Sequence, residues 1–301
     1  MEEIVDVARE RRVREGWDVA FCLTDVPLRI GSRPLVAALS PGDRVGVISV
    51  PALGATVLRA RVREAVESLA LELAEEAVSR PRRRPPAMRR RVADVLTPIH
   101  RVTAPGERVS VLYLMPPAVG HVRLLMGMVR ANRPWRALSG LTGAVVAAFA
   151  SGAYALLTNT PWQIASGLGW ARLLVIMVLS VGALLGWLIV VHELWESRTG
   201  AGPAKDTALY NAATTLTLLI AILCAYAALF ALLLVAAALV IDPDVFQQNI
   251  GHSVDLADYV TLAWFAASVA TVAGALGSGL ENEDAVRQAA YGHNQASREQ
   301  H

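Results

Sequence analysis

The sequence predicts a small α+β (or α/β) cytoplasmic domain followed by an all-α transmembrane four-helix bundle. The first observation is the run 212–241, which contains no charged side chain. A helix of that length reaches about 45 Å, more than the roughly 30 Å hydrocarbon core of a bilayer. The second is composition, because the first 136 residues hold nearly all the arginine and 137–280 is mostly apolar. The third is the short-range alternation of apolar side chains near the start, which is typical of strands.

Residues 1–117 are predicted to form the cytoplasmic α/β domain. Strands are expected over 19–23, 44–50 and 109–114, with a further, interrupted strand in 28–39. Residues 57–80 carry apolar side chains at i, i+3 and i+4 spacing, which indicates an amphipathic helix. The domain has no glycine-rich dinucleotide fingerprint, Walker lysine, Gly-x-Ser-x-Gly or Cys-x-x-Cys. We therefore expect no cofactor, no metal ligand and no catalytic residue.

Four spans are predicted after a juxtamembrane amphipathic helix and anchor at 118–136, and a cytoplasmic tail follows at 281–301. Each span is near or above the roughly 20 residues that a crossing needs. The predicted spans are 137–157, 173–191, 212–241 and 260–280.

The loop charges predict the orientation of these spans. The loop between the first two spans has one basic residue, Arg172, and the loop between the last two has none. The middle loop holds Arg198 and Lys205, and the tail also carries arginine. Because cytoplasmic loops are enriched in lysine and arginine, both termini are expected in the cytoplasm, with the chain in the plasma membrane. No signal peptide is expected, since the first residues are charged and not apolar.

Two groups of residues are candidate contacts with the bilayer and its anionic headgroups. The first is a proline-interrupted basic loop, for which a plain solvated loop is the alternative. The second is an interfacial anchor of arginine and tryptophan before the first span, for which a simple helix stop is the alternative. Nucleic acid is not expected as a partner of the basic loop, because no aromatic residues interleave with the arginines of that loop. The candidates are Arg82, Arg83, Arg84, Arg89, Arg90 and Arg91 in the loop, and Arg130, Arg133, Trp135 and Arg136 in the anchor.

Small residues in the spans predict close helix packing, within one bundle or in a homo-oligomer. These are Gly143, Gly182, Gly186, Gly274 and Ser278. Acidic residues directly after the fourth span are expected to form interfacial ion pairs with Arg133 and Arg136, with solvation as the alternative. These acids are Glu281, Glu283 and Asp284.

Three segments of the chain resemble the first half of archaemetzincin-type metalloproteases. They are residues 23–26, residues 44–53 and the helix that begins Arg63-Glu-Ala-Val. In that family the helix carries His-Glu-x-x-His and holds zinc. The matching positions here are Glu67, Ser68 and Leu71, so the resemblance implies a zincin-like scaffold without its metal and without catalysis.

The whole chain resembles a group of actinobacterial four-span integral membrane proteins. The segments that carry this resemblance are 17–27, 132–136, 209–214, 271–278 and 283–287. Some members carry a methylene-tetrahydrofolate dehydrogenase label. The soluble enzymes of that name use a dinucleotide fold and an active-site lysine, whereas the one lysine here, Lys205, lies in a predicted inter-helix loop. The resemblance implies the architecture and no specific activity.

Three functions remain open from the sequence. The favoured hypothesis is a non-catalytic scaffold or regulatory protein that binds an unidentified protein partner. The alternatives are a small oligomeric channel or transporter and a membrane-anchored enzyme. Ionisable residues, which a coupled transporter needs inside its spans, are nearly absent there. The acidic loop 242–259 is either a hydrated loop or a cation site.

Overall fold

The chain forms two compact units, Met1–Ala131 and Asn132–His301. The computed structural model describes residues 1–77, 100–103, 109–135, 142–195 and 204–277. The first unit is an α/β region with a mixed sheet, and the described part of the second consists of helices. This agrees with the predicted order of an α/β domain followed by helices.

Unit 1 contains three helices, six strands and one 3-10 turn among its described residues. In chain order these are α1 (Glu2–Glu15), β1 (Ala20–Thr24), β2 (Arg29–Ile30), β3 (Arg33–Ser40), β4 (Val45–Ser49), the 3-10 turn (Pro51–Leu53), α2 (Leu58–Ala77), β5 (His100–Thr103), β6 (Val111–Leu114) and α3 (Pro117–Ala131).

The sheet has the strand order β1-β4-β3-β6-β5, and β2 pairs with β3. Strands β1 and β4 are parallel, and the other pairs are antiparallel. Strands β3 and β4 lie in the middle and are buried along almost their whole length. A strand covered on both faces needs apolar residues at every position, which explains the continuous run Val45-Gly-Val-Ile.

Helix α2 turns one apolar stripe inward, with Ala65, Leu69 and Leu73 buried. Helix α3 packs on strand β3 and on the 3-10 turn. Its Gly127 lies against the Pro51 carbonyl, so close that a β-carbon there would clash with the backbone. Unit 1 therefore extends through α3 to Ala131, beyond the predicted domain end at residue 117.

Unit 2 contains six helices among its described residues, α4 (Thr142–Leu156), α5 (Asn159–Ser166), α6 (Trp170–Val191), α7 (Ala204–Val240), α8 (Pro243–Ile250) and α9 (Leu256–Gly277). Three of them, α6, α7 and α9, are long and apolar enough to cross a membrane. Helices α4 and α5 meet at an 85° bend. They form a fourth candidate membrane span only if the two helices together make one crossing. The first predicted span, 137–157, thus corresponds to a shorter helix over its described residues.

The same order of elements occurs twice in unit 2. A helix is followed by an eight-residue helix and then by a 22-residue helix, first as α4-α5-α6 and then as α7-α8-α9. The two short helices α5 and α8 pack on each other, and a glycine follows each of them. Helix α9 packs against α4, α6 and α7.

Candidate functional site

Three arginines of unit 1 converge on the backbone that links the 3-10 turn to α2. Arg61 of α2 donates from Nη1 to the Leu53 carbonyl at 2.6 Å. Arg123 of α3 donates to the same oxygen from Nε at 3.2 Å and from Nη2 at 3.1 Å. Arg130, two turns further along α3, donates to the Ala55 carbonyl. We call Arg61, Arg123 and Arg130 the arginine cluster.

The arginine cluster places several positive charges beside neutral acceptors. Two guanidinium groups share the single Leu53 carbonyl, so they lie within a few ångströms of each other. Burial, and then the charge of Arg61, lower the pKa of Arg123. A carbonyl carries only a partial negative charge, so it offsets this repulsion less than a carboxylate would.

The start of α2 adds to the same positive field. The unpaired N–H groups of a helix start carry partial positive charge, and helices usually place Asp or Glu there. The first turn of α2 has no acidic residue, and Arg59, Arg61 and Arg63 all lie within its first six positions. The arrangement is unfavourable for an isolated helix and favourable for a bound anion.

Backbone strain marks the segment between the turn and α2. Gly54 has φ of 88° and Val57 has φ of 51°. Glycine adopts such angles freely, whereas a β-branched residue rarely does. A β-carbon on Gly54 would lie 3.0 Å from Nη1 of Arg61 and 3.1 Å from Cγ of Arg123. Gly54 therefore lets the side chains of Arg61 and Arg123 pack directly against this backbone.

A second set of interacting side chains in unit 1 surrounds the buried carboxylate of Glu72 on α2. Glu72 is 6% exposed. Arg101 of β5 donates to its Oε1 from Nε and Nη2, both at 2.9 Å. Tyr113 of β6 donates its hydroxyl to Oε2. Burial and this hydrogen bond raise the pKa of Tyr113, and the Glu72 charge raises the pKa of Arg101 against the effect of burial. The triad ties α2 to two strands.

His121, an isolated histidine in the sequence, has structural partners. Its Nε2 lies 3.2 Å from Nη2 of Arg29, and its Nδ1 contacts the Pro117 carbonyl. Because a guanidinium only donates, Nε2 accepts and Nδ1 carries the hydrogen. The ring thus joins strand β2 to the first turn of α3.

The predicted bilayer contacts are only partly described. Seven of these arginines lie outside the described residues, namely Arg82, Arg83, Arg84, Arg89, Arg90, Arg91 and Arg136. Arg133 and Trp135 are exposed at the start of unit 2. Arg130, predicted as part of the anchor, belongs to the arginine cluster of unit 1.

The predicted packing residues lie in different surroundings. A β-carbon on Gly274 of α9 would lie 2.7 Å from the Ala144 carbonyl oxygen of α4, so these backbones approach closely. Gly143 is half-buried on α4. Gly182 and Gly186 are exposed on α6, and a β-carbon there would meet nothing within 4 Å. The residues Ser278, Glu281, Glu283 and Asp284 lie outside the described residues.

The positions of the metalloprotease resemblance lie on α2, where Glu67 and Leu71 are one turn apart. Glu67 and Leu71 are exposed, and Ser68 is half-buried. Among the described residues, no group of three or more His, Cys, Asp or Glu side chains could hold a metal ion. The acids of the loop 242–259 cap helices: Asp242 accepts from the N–H groups of Asp244 and Val245 at the start of α8, and Asp255 and Asp258 bond each other's N–H groups at the start of α9.

Buried polar groups in unit 2 mostly bond their own helix. Ser180, Thr217, Ser268 and Thr271 each donate to the carbonyl four residues earlier. A cavity between α4, α6, α7 and α9 has an almost wholly apolar lining, which includes Ala148, Leu184, Leu229 and Gly274. These hydroxyls act as packing groups.

His192, directly after α6, is the exception, since it is 2% exposed. In the described part of the chain neither ring nitrogen has a hydrogen-bond partner. The chain reverses there through Glu193 at φ of 50°, with a bond from the Leu194 N–H to the Ile189 carbonyl. This bond closes a Schellman turn, and Leu194 packs with Leu218 of α7.

Sequence reasoning missed the arginine cluster and the Glu72 triad. Arg61 and Arg123 are far apart in the chain, and neither belongs to a motif. A usable signal was present for α2, because three arginines and no acid begin that helix. The available signal for the triad was Glu72, a glutamate that directly precedes Leu73 of the apolar stripe of α2.

In comparisons with known proteins, no family model matches the chain, and no curated protein or solved structure matches it significantly.

Proposed function

We propose that the chain is a multi-pass plasma-membrane protein with a non-catalytic scaffold or regulatory role. In this proposal unit 1 lies in the cytoplasm and binds a protein partner, while a four-span unit 2 holds it in the bilayer. The three long apolar helices of unit 2 are consistent with a multi-pass membrane protein. The arginine-rich segments around residues 82–91 and 130–136 would contact anionic headgroups, and exposed Gly182 and Gly186 would support a homo-oligomer.

The non-catalytic part of this proposal rests on the Glu72 carboxylate, which is buried and has both oxygens occupied by hydrogen bonds. A general acid or base needs an open path to its substrate. Glu72 is buried, and its two oxygens accept from Arg101 and Tyr113. This triad therefore joins α2 to the sheet, which suits a rigid binding platform.

The proposed orientation has support from the two short helices. Because α5 packs on α8, the two connections that contain them share one end of unit 2. Both connections are poor in arginine and lysine, as loops outside the cytoplasm are. A reporter that is active only outside the cell, fused after His301, should therefore be silent. Strong activity of that fusion would overturn the orientation.

The scaffold role is tested by photo-crosslinking in native membrane. A photoreactive residue replaces Leu71 in the full-length chain, because this side chain is 50% exposed on α2. The proposal expects a discrete product with another protein. The same residue at Gln248, exposed on α8, is the control and should not give that product. If Leu71 and the similarly exposed Leu23 and Val57 positions all give no discrete protein product, the scaffold role is wrong.

A further inference from the structure

We infer that the arginine cluster binds a phosphate-type anion, either a free phosphate or the phosphate of a lipid headgroup. The inference adds a ligand to the proposed binding unit and rests on that proposal only for its biological meaning. The cluster brings guanidinium groups from two helices together around one short backbone segment.

The geometry suits a tetrahedral oxyanion. Arg61 and Arg123 approach the Leu53 carbonyl from different helices, and Arg130 approaches the Ala55 carbonyl beside it. Arg61 and Arg130 form no ion pair with a carboxylate among the described residues. Guanidinium groups present five N–H donors in a fixed fork, which matches the oxygens of phosphate and allows bidentate bonds.

The local electrostatics favour an anion independently of this geometry. Arg59, Arg61 and Arg63 place positive charge at the positive end of α2, where no acid of the first turn offsets it. Burial, and then repulsion from Arg61, lower the pKa of Arg123. A phosphate bound to guanidinium N–H groups that the Leu53 and Ala55 carbonyls leave unused would offset this positive charge.

The backbone beneath the arginine cluster lies close to its side chains. Gly54, at φ of 88°, passes beneath the side chains of Arg61 and Arg123, and a β-carbon there would reach 3.0 Å from the Arg61 nitrogen. Because Gly54 has no side chain, both guanidinium groups can reach the Leu53 carbonyl. The strained Val57 holds the following turn into α2. Strain of this kind is retained where the surrounding structure fixes a functional backbone.

The test uses full-length protein in nanodiscs and two phosphate sources at constant ionic strength. In neutral phosphatidylcholine discs, inorganic phosphate should raise the melting temperature relative to chloride, and isothermal titration should give a saturable isotherm. In discs that contain phosphatidate, the same protein should be stabilised without added phosphate, and free phosphate should compete if the headgroup occupies the cluster. Stabilisation in only one arm identifies the source.

Variants locate the site. Arg61→Gln and Arg123→Gln should each weaken phosphate binding by about tenfold or more, since each removes a charge-assisted contact. Arg11→Gln, exposed on α1 and outside the arginine cluster, is the control and should change binding by less than about threefold, because it removes only a screened charge. Arg61→Lys keeps the charge and the fold but loses the fork, and should bind between wild type and Arg61→Gln.

Two results would overturn the inference. One is the absence of saturable binding and stabilisation in both arms for wild-type protein. The other is phosphate binding by Arg61→Lys, Arg61→Gln and Arg123→Gln that equals wild type while their circular dichroism is native. The crosslink from Leu71 is measured on the wild-type protein as well. If the wild-type protein gives this crosslink but binds no phosphate, this inference fails while the scaffold proposal stands.

Discussion

Trp162 of α5 meets Phe246 of α8 edge to face, with ring centroids 5.2 Å apart and ring planes at 69°. Each aromatic residue is the fourth of its eight-residue helix. Phe246 contacts Tyr259 of α9 in the same manner at 5.2 Å, and the Tyr259 hydroxyl donates to the Ile241 carbonyl. The two short helices are therefore joined to each other and to α9 through one fully buried ring.

Phe246→Ala should destabilise unit 2 by about 3–5 kcal/mol, the usual cost of a buried Phe→Ala change. The ring is 1% exposed and packs between Trp162 and Tyr259, so its removal leaves a cavity. Thermal melting of the full-length protein in detergent measures the effect. Val245→Ala, at a side chain that is 47% exposed, is the control and should change stability by less than about 0.5 kcal/mol. Equal melting temperatures for the two variants would contradict the packing described.

Gly274→Ala should destabilise the packing of α9 on α4 by about 1–3 kcal/mol, the cost of overpacking. The added β-carbon would lie 2.7 Å from the Ala144 carbonyl oxygen, and backbone cannot rotate away as a side chain can. Gly186→Ala on α6 meets open space within the chain and is the matched control when both variants are melted as detergent-solubilised monomers. This control should be neutral or stabilising by up to about 1 kcal/mol, because alanine favours the helix. A neutral Gly274→Ala would show that the two backbones are further apart.

Unit 1 should lose stability in alkali because of Tyr113. Its pKa is raised in the folded state, so the folded protein holds the phenol proton more tightly than the unfolded chain does. This stability is complete below the unfolded value of about 10 and falls as the pH rises above it. Urea unfolding at pH 8 and pH 11, followed by circular dichroism, measures the loss.

Tyr113→Phe should reduce that alkaline loss and lower stability at pH 8 by about 1–3 kcal/mol, because Glu72 loses a donor while it stays buried. Tyr154→Phe, at a side chain that is 70% exposed, is the control and should keep the wild-type pH dependence. If Tyr113→Phe shows the full wild-type loss at pH 11, the triad is not its source.

Val57→Gly should stabilise unit 1 by up to about 1 kcal/mol, because Val57 is held at φ of 51° and glycine adopts this angle without strain. The side chain is 68% exposed, so little packing is lost. Val7→Gly is the contrasting control, since Val7 is 62% exposed inside α1 and should cost about 1 kcal/mol there. Chemical denaturation of both variants should give opposite signs. A destabilised Val57→Gly would mean that the valine makes contacts that outweigh its backbone strain.

Local patterns were enough to predict most elements. The apolar stripe predicted α2 within a few residues of Leu58–Ala77, and the apolar runs predicted α6, α7 and α9. Strands β1, β4 and β6 followed from short apolar segments bounded by turn residues. These predictions succeed because helix and strand periodicity is written in neighbouring residues. The bend between α4 and α5 was not predicted, since residues 137–157 satisfy the length and hydropathy of a span whether or not the helix turns at its end.

The sequence by itself therefore determined an α/β unit that precedes several apolar helices. Only the tertiary structure decided which side chains meet. Arg130 follows an amphipathic stretch and precedes an apolar run, so sequence reasoning placed it at a membrane interface. In the fold, Gly127 lets α3 lie directly on Pro51, and this close approach brings Arg123 and Arg130 to the backbone beside Arg61. Such a convergence depends on the packing of elements distant in the chain, and no local periodicity encodes it.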